Sequence, residues 1–318
     1  MELANQSSKR IIYIRHALCK ANVDKRKCRG EESKDPKKLK SIKADPTYID
    51  SPLHPDGYPQ IEKLADRLST ENINVVMVSP LRRTMSTCME LMKSHSNFEH
   101  IKFIISPFII SQCEGFMDVP SASLEEIQKE YEEKYQVEIS VADSELQTFR
   151  DWSKEIKSLN LSKKKPKEME SLEALTEVFI SPKNYYLHLF SQKMQKDILM
   201  HLKANPEDSL INFLSKKFTK SSYEKSNNVK SRLEKFKEQV CNIISDLSEE
   251  QQVLVVSHSK ISLNYCDIIG LLHKYKEEGE SDKLRLNNCQ GVYLAFGDEN
   301  YEDFQVTEHL QQDEESQE

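Results

Sequence analysis

Three short segments of this 318-residue chain place basic or nucleophilic side chains directly after an apolar run. They are Arg15-His16, Ser79 to Arg83 and Ser257-His258. The apolar runs are predicted to be β-strands, and an open α/β sheet binds its ligands at the carboxyl ends of the strands. Arginine binds oxyanions with two parallel hydrogen bonds, and a neutral imidazole can act as a nucleophile. Together the three segments predict a site that handles phosphate.

The same segments resemble the motifs of the histidine phosphatase superfamily, which has the phosphoglycerate-mutase-like fold. Arg15-His16-Ala17 looks like its RHG or RHA motif, the Ser79 segment looks like SPLxR, and Ser257-His258 looks like the late SH. Further matching positions are Asn22, the segment from Asp50 to Gln60 with its Gly57, and Asn287 or Asn288. We expect the Asp50 segment to be structural and to cap the helix that follows it. The resemblance implies no metal ion and no other cofactor.

The resemblance also implies a role for each residue of the site. His16 would attack phosphorus and form a phosphohistidine that water then hydrolyses. The phosphate oxygens would be held by Arg15, Asn22, Arg83 and His258, and His258 is also counted among the catalytic residues. Only one of the adjacent Arg82 and Arg83 can easily point into a pocket. The family pattern selects Arg83 and leaves Arg82 at the rim or on the surface.

The proton donor for the leaving group is the position that the motifs define least. The family supplies a Glu or Asp shortly after the third strand. One register places Ser111 there, which cannot donate usefully, and the other candidates are Glu114 and Asp118. We favour Glu114 because its side chain is longer, it lies nearer the strand, and the Gly after it permits a tight turn.

Strands that alternate with helices must position these residues, which predicts a three-layer α/β/α sandwich with a mostly parallel sheet. The predicted strands are Ile11 to Ile14, Val75 to Val78, Ile101 to Ile105, Val253 to Val256 and Val292 to Phe296. The predicted helices of the core are Gly57 to Leu68, Thr84 to Met92 and Val229 to Leu247.

The strand signal disappears in the middle of the chain, where Lys, Glu and Leu dominate. We therefore predict a discontinuous core at residues 9–120 and 229–310, with an inserted helical subdomain at residues 121–228 that roofs the pocket. Within it, helical spacing is found at Leu124 to Tyr135 and at Tyr185 to Leu202. Residues 311–318 are predicted to be a disordered acidic tail.

The composition excludes several classes of protein. The 7 cysteines are scattered without a Cys-x-x-Cys pair, and no apolar leader follows Met1, so we expect a cytoplasmic protein. No run reaches the roughly 18 apolar residues of a membrane span, and a net charge of -7 gives no reason to expect nucleic acid. With 7 glycines and no phosphate-binding glycine loop, phosphate must be held mainly by side chains.

One basic stretch stands out against the acidic average. Lys20 to Lys43 contains ten Lys or Arg and four Asp or Glu, and it is either a solvated loop or a patch that steers polyanionic substrates. The chain is thus predicted to be a metal-independent phosphomonoesterase acting on a small phosphate ester or a phosphorylated protein. Two alternatives stay open. The first is a catalytically weak or inactive phosphate-binding relative that serves as an interaction protein, and the second is a phosphoglycerate-mutase-type phosphotransferase.

Overall fold

The computed structural model describes residues 10–28, 36–122, 124–142, 210–218, 226–296 and 304–310, and the single positions 197, 200, 201, 204 and 205. Most of the helix expected from Tyr185 to Leu202, and the whole tail at residues 311–318, lie outside these ranges.

The elements follow the chain in an alternating order. They are β1 (Arg10–Arg15), α1 (Lys20–Lys27), α2 (Pro36–Ala44), α3 (Gly57–Leu68), β2 (Ile73–Val78), α4 (Arg82–Met92), β3 (Lys102–Ile105), α5 (Leu124–Tyr135), β4 (Ile139–Val141), α6 (Leu210–Phe218), α7 (Ser226–Ser245), β5 (Gln252–Ser257), α8 (Ser259–Ile268), α9 (Leu271–Glu277), β6 (Gly291–Phe296) and β7 (Phe304–Leu310). None of these helices combines the length and the apolar character that crossing a membrane requires.

The strands form one sheet in the order β4-β3-β2-β5-β1-β6-β7. The five strands from β4 to β1 run parallel, whereas β6 is antiparallel to β1 and β7 is antiparallel to β6. The central strands β1, β2 and β5 are almost continuous apolar runs, as expected where helices cover both faces of a parallel sheet. This arrangement confirms the predicted α/β sandwich.

The two faces of the sheet build two hydrophobic layers because successive strand residues point to opposite sides. In β1, Ile11 faces one layer and Ile12 faces the other. The first layer is closed by α7 and α8 through apolar residues spaced three or four apart, which in α7 are Val229, Leu233, Phe236, Val240 and Ile244. The second layer is closed by α3, α4 and α5. The helices therefore fix the sheet from both sides and leave its strand ends for loops.

The observed bounds match the sequence-based expectation closely for the core elements. α3 and α5 begin and end at the predicted residues, and the predicted strands are off by two residues or fewer. Two strands were not predicted, the three-residue β4 and the seven-residue β7. β4 pairs with β3 through Phe103 and Ile139, so residues that we assigned to the helical insertion extend the sheet. The rest of the insertion stays a prediction, because residues 143–196 lie outside the described ranges.

Candidate active site

The carboxyl ends of β1, β5 and β2 lie side by side at the centre of the sheet. Arg15 is paired in register with Ser257, and the backbone continues this pairing, since the His16 N–H donates to the Ser257 carbonyl at 2.9 Å. The rings of His16 and His258 meet edge to face with their centroids 5.2 Å apart. The structure thus brings together the segments that the sequence analysis selected.

His16 is held in the protonation state that a nucleophile needs. Its Nδ1 lies 2.7 Å from the Ala17 carbonyl oxygen. A carbonyl can only accept, so Nδ1 carries the proton and Nε2 keeps a free lone pair. Burial, together with the charges of Arg83 and Arg15, lowers the pKa of His16 well below its usual value. The imidazole is therefore neutral at neutral pH.

The loop after His16 is fixed by three side chains from separate parts of the chain. Asn288 Nδ2 donates to the His16 carbonyl at 3.0 Å, which identifies the relevant member of the Asn287-Asn288 pair. The Ala17 N–H donates to Thr87 Oγ1, and the Leu18 N–H donates to Gln60 Oε1, both at 3.0 Å. Because its backbone groups are satisfied, the loop can present the His16 ring rigidly.

The segment from Asp50 to Gln60 does not cap α3 as we predicted. The residue before that helix, Asp56, makes no capping hydrogen bond with its side chain. Asp50 instead accepts from the N–H of Arg82 at 2.8 Å, and so satisfies a donor at the start of α4. Gly57 lets α3 approach the His16 loop, since a Cβ at this position would lie 2.6 Å from the Leu18 carbonyl oxygen. The segment therefore positions the site from two sides.

Arg83, rather than Arg82, points into the space beside the two histidines. It is 1% exposed, and its Nη2 donates to Asp118 Oδ1 at 2.9 Å and to His258 Nδ1 at 3.3 Å. Arg82 turns the other way and bonds with Ser121 and Glu130. This is the register that the family pattern selected.

His258 has partners at both ring nitrogens. Arginine only donates, so Nδ1 of His258 accepts from Arg83, and Nε2 then carries the proton toward Ser79 Oγ at 2.9 Å. Burial and the charge of Arg83 lower the pKa of His258 well below its usual value. In this arrangement the ring orients Arg83. The phosphate contact predicted for His258 requires these bonds to rearrange.

Three of the predicted phosphate-binding residues carry buried donors without a partner. Among the described residues, nine buried side-chain nitrogen or oxygen atoms lack a hydrogen bond, and three of them are Arg15 Nε, Asn22 Nδ2 and Arg83 Nε. Arg15 also donates through Nη1 to the Leu286 carbonyl at 3.0 Å. Burial lowers its pKa to about 10, so it stays charged at neutral pH. Buried donors of this kind are costly unless an acceptor such as an oxyanion satisfies them.

Both carboxylates considered as proton donors are tied to cations. Glu114 contacts Lys260 at 2.7 Å and Lys43 at 3.1 Å. Burial raises the pKa of Glu114, but these two lysines outweigh it and lower the pKa to about 2. Asp118 pairs with Arg83 and also accepts from the Glu114 N–H at 3.1 Å. In the free protein Glu114 is therefore ionised, which conflicts with its predicted role as an acid unless its partners move.

Three lysines near Glu114 were not predicted as individual site residues. Lys260 follows His258 by two positions, a spacing that could have signalled it. Lys25 and Lys43 belong to the basic stretch from Lys20 to Lys43, which the sequence analysis singled out only as a whole. Their approach to Glu114 depends on how α1 and α2 pack, which local sequence does not reveal.

The other histidines that the structure describes serve elsewhere. His95 Nε2 lies 3.0 Å from the Glu71 carbonyl oxygen, and His54 lies beside Asp56 on the surface. In the described ranges, no group of three or more His, Cys, Asp or Glu side chains is arranged to hold a metal ion.

Part of the chain matches a model of a known protein family. The family model of the histidine phosphatase superfamily (branch 1) matches residues 47–177, and it confirms the resemblance drawn from the motifs. That match does not extend to Arg15 and His16, which the sheet brings into the site. No curated protein matches the chain.

Solved structures show distant similarity over almost the whole chain. One is the alpha-ribazole phosphatase from Shigella flexneri, with 13% identity and a TM-score of 0.45, covering 95% of this chain and 96% of that one. Another is a phosphoserine phosphatase from Entamoeba histolytica in complex with 3-phosphoglyceric acid, with 12% identity and a TM-score of 0.40, covering 96% of this chain and 98% of that one. The fold assignment rests on the strand order and register given above, and not on these similarities.

Proposed function

We propose that this chain, a member of the histidine phosphatase superfamily, is a metal-independent phosphomonoesterase that acts through a phosphohistidine at His16. The family match supports phosphatase chemistry at the level of the superfamily. The mechanism, the proton donor and the substrate described below are our proposal.

The observation that carries the proposal is a set of buried donors without partners, two of them on the arginines whose charges act on the neutral His16. Arg15 Nε, Asn22 Nδ2 and Arg83 Nε are buried without acceptors, and the Nε2 lone pair of His16 is free. A phosphate group has three equatorial oxygens to occupy such donors, and its phosphorus accepts an in-line nucleophile. Donors that are already in place stabilise the charge that develops in the transition state.

The proposed reaction has two balanced steps. In the first, His16 Nε2 forms a bond to phosphorus while the bond from phosphorus to the ester oxygen breaks, and the departing oxygen takes a proton from an acid. In the second, water gives one of its own protons to the same group, which is now ionised, while the water oxygen bonds to phosphorus and the bond to His16 breaks. Arg15, Asn22 and Arg83 hold the phosphate oxygens in both steps.

An aryl phosphate assayed without added metal tests this mechanism. We expect turnover, and we expect an acid-labile phosphoenzyme in rapidly quenched samples. His16→Ala should abolish both. His95→Ala is the matched control because it removes another buried histidine that bonds to a carbonyl, and it should keep the activity. Undiminished hydrolysis by His16→Ala would exclude the phosphohistidine.

We retain Glu114 as the proposed proton donor. Because Glu114 is ionised in the free protein, this role has to be tested by substitution. Glu114→Gln should slow the hydrolysis of alkyl phosphates much more than that of aryl phosphates, whose leaving groups need little protonation. If Asp118→Asn shows that selective loss instead, Asp118 is the donor. If neither variant does, the protein has no dedicated acid.

The second candidate function is a catalytically weak phosphate-binding relative. It is favoured by the ion pairs that occupy Glu114 and Asp118, and by the partners at both nitrogens of His258. This function predicts that the protein binds inorganic phosphate through Arg15 and Arg83 while aryl phosphate is not turned over. Calorimetric titration with phosphate, run beside the assay above, separates the two candidates.

A further inference from the structure

Three lysines lie around Glu114 next to the phosphate pocket, and the reaction described above gives these lysines no role. The two oxygens of Glu114 are divided between Lys260 Nζ at 2.7 Å and Lys43 Nζ at 3.1 Å. Lys43 lies at the end of α2, and Lys260 lies in the first turn of α8. A lysine in a first turn adds charge to the positive end of the helix dipole, so helix stability does not explain Lys260.

Lys25 supplies a third ammonium group from α1. Among the described residues its hydrogen-bond partner is the sulfur of Met117, and a thioether is a weak acceptor. Its charge interacts with those of Asp118, Glu114, Lys43 and Arg83, so it lies in the same part of the site. Lys25 is half-buried, and a half-buried ammonium group whose hydrogen-bond acceptor is so weak gains from an additional anion.

A close backbone contact holds the loop of Glu114 against the end of α2, which carries Lys43. A Cβ on Gly115 would lie 2.5 Å from the Lys43 carbonyl oxygen, so the loop that carries Glu114 packs directly on the end of α2. The next residues of that loop, Met117 and Asp118, hold Arg83. The lysine cluster (Lys25, Lys43 and Lys260) is therefore joined to the phosphate pocket through one short loop.

Among the residues that the structure describes, the positive charges of the lysine cluster outnumber the negative charges that face them. Three ammonium groups face Glu114, while Asp118 is paired with Arg83. We propose that Lys25, Lys43 and Lys260 form a second anion-binding subsite, and that the substrate is a small phosphate ester with a second phosphate or a carboxylate group near the ester. This inference rests on the proposed phosphatase function and names its substrate class.

Occupation of the subsite also changes Glu114. A substrate anion that takes Lys43 and Lys260 as partners leaves the Glu114 carboxylate without its two ion pairs. Without the two ammonium groups, and beside a new anion, Glu114 takes up a proton more readily. It then has a proton to give to the departing oxygen. Binding of a substrate with a second anionic group would thus convert Glu114 into the proton donor.

Three alkyl esters of equal length test the subsite: propyl phosphate, 3-phosphonooxypropanoate and propane-1,3-diyl bisphosphate. We expect kcat/KM for the two esters that carry a second anionic group to exceed that for propyl phosphate by tenfold or more, and the better of the two identifies the preferred anion. Lys43→Met and Lys260→Met should each reduce this advantage by about tenfold, as expected when a charged hydrogen bond is lost. Both should leave the hydrolysis of p-nitrophenyl phosphate within about threefold of the wild type.

Lys230→Met is the matched control. Lys230 pairs with Asp267 at the other end of α8 at 2.7 Å, the same separation as between Lys260 and Glu114, and the two lysine side chains are similarly exposed, at 50% and 52%. This variant should keep the full advantage.

The outcomes separate the subsite from the phosphatase function. Equal kcat/KM for all three esters, with normal turnover of p-nitrophenyl phosphate, would overturn the subsite and leave the phosphatase function standing. If no ester is turned over, the phosphatase function fails, and calorimetric titration with the same three compounds decides on the subsite. Tighter binding of the two compounds that carry a second anionic group, lost in Lys43→Met and Lys260→Met, would then support it, and equal affinities would overturn it.

Discussion

His16 is the residue whose surroundings are most directly tied to its chemistry. Burial, Arg83 and Arg15 all disfavour its protonated form, so its pKa lies well below the usual 6.5. The neutral form is the nucleophile, and activity is lost as the pH falls through the lowered pKa. We therefore expect kcat/KM for an aryl phosphate, corrected for the ionisation of the substrate, to stay level from pH 7.5 down to about 6.5 and to decline only below that. A decline centred at or above pH 6.5 would show that His16 is not held neutral.

Asn288 holds the backbone of His16 in place and does not line the phosphate pocket. It donates to the His16 carbonyl and accepts from Arg26 Nη2 at 2.9 Å. We expect Asn288→Ala to lower kcat about tenfold, the effect of one lost hydrogen bond, while KM changes by less than about twofold because the residue holds the loop and not the phosphate. The exposed neighbour is the control, and Asn287→Ala should keep both constants. A loss confined to KM would place Asn288 at the substrate.

At the scale of the element, the start of α4 decides which arginine serves the site. Asp50 accepts from the Arg82 N–H, and because successive helical residues point about 100° apart, Arg83 points inward while Arg82 points outward. Arg83→Ala should lower kcat/KM by about 10²- to 10³-fold, as for loss of a donor that acts in the transition state. Arg82→Ala should stay within about fivefold of the wild type. The reverse ranking would mean that α4 is rotated relative to the pocket.

The contact between α3 and the His16 loop depends on one glycine. A methyl group at position 57 would overlap the Leu18 carbonyl oxygen, which is backbone and cannot turn aside. We expect Gly57→Ala to lower the free energy of unfolding by about 1–3 kcal/mol, as measured in urea, and to reduce kcat by moving the loop. Tyr58→Ala changes the next residue, which is 43% exposed, and should alter stability by less than about 0.5 kcal/mol. Equal stabilities for the two variants would show that the loop yields easily.

At the scale of the whole molecule, charge is distributed unevenly. The chain has a net charge of -7, which repels anions at long range, whereas the lysine cluster and the arginines concentrate positive charge at the strand ends. Salt screens such fields, with a Debye length of about 8 Å at physiological ionic strength. We expect kcat/KM to fall more steeply with added KCl for an ester that carries a second anionic group than for one whose only charged group is the phosphate. Equal slopes would mean that the stretch from Lys20 to Lys43 does not act on substrates.

The strands that end at the site could be predicted from the sequence, but the side chains that surround the catalytic residues could not. The strands before Arg15, Ser79 and Ser257 could be predicted because buried parallel strands are unbroken apolar runs. β4 could not, since three residues carry no usable period. Lys25, Lys43 and Lys260 come together only through the packing of three helices, and a lysine has the same local signature in a pocket as on a surface. The motifs likewise did not indicate that Glu114 is ionised, because its ionisation depends on the nearby Lys43 and Lys260.

The position of β5 within the sheet also constrains the order in which the molecule can form. β5 begins at Gln252 yet separates β1 from β2, both of which are made about 170 residues earlier or more. Until β5 is present, β1 and β2 have no common partner, and the pairings it makes are among the most distant in sequence. Such pairings close slowly, since long loops must be ordered before any contact rewards them. In a growing chain β2 can pair with β3, whereas β1 and the other edge of β2 stay without partners until late in synthesis, and the phosphate pocket appears in one late step, when β5 inserts between them.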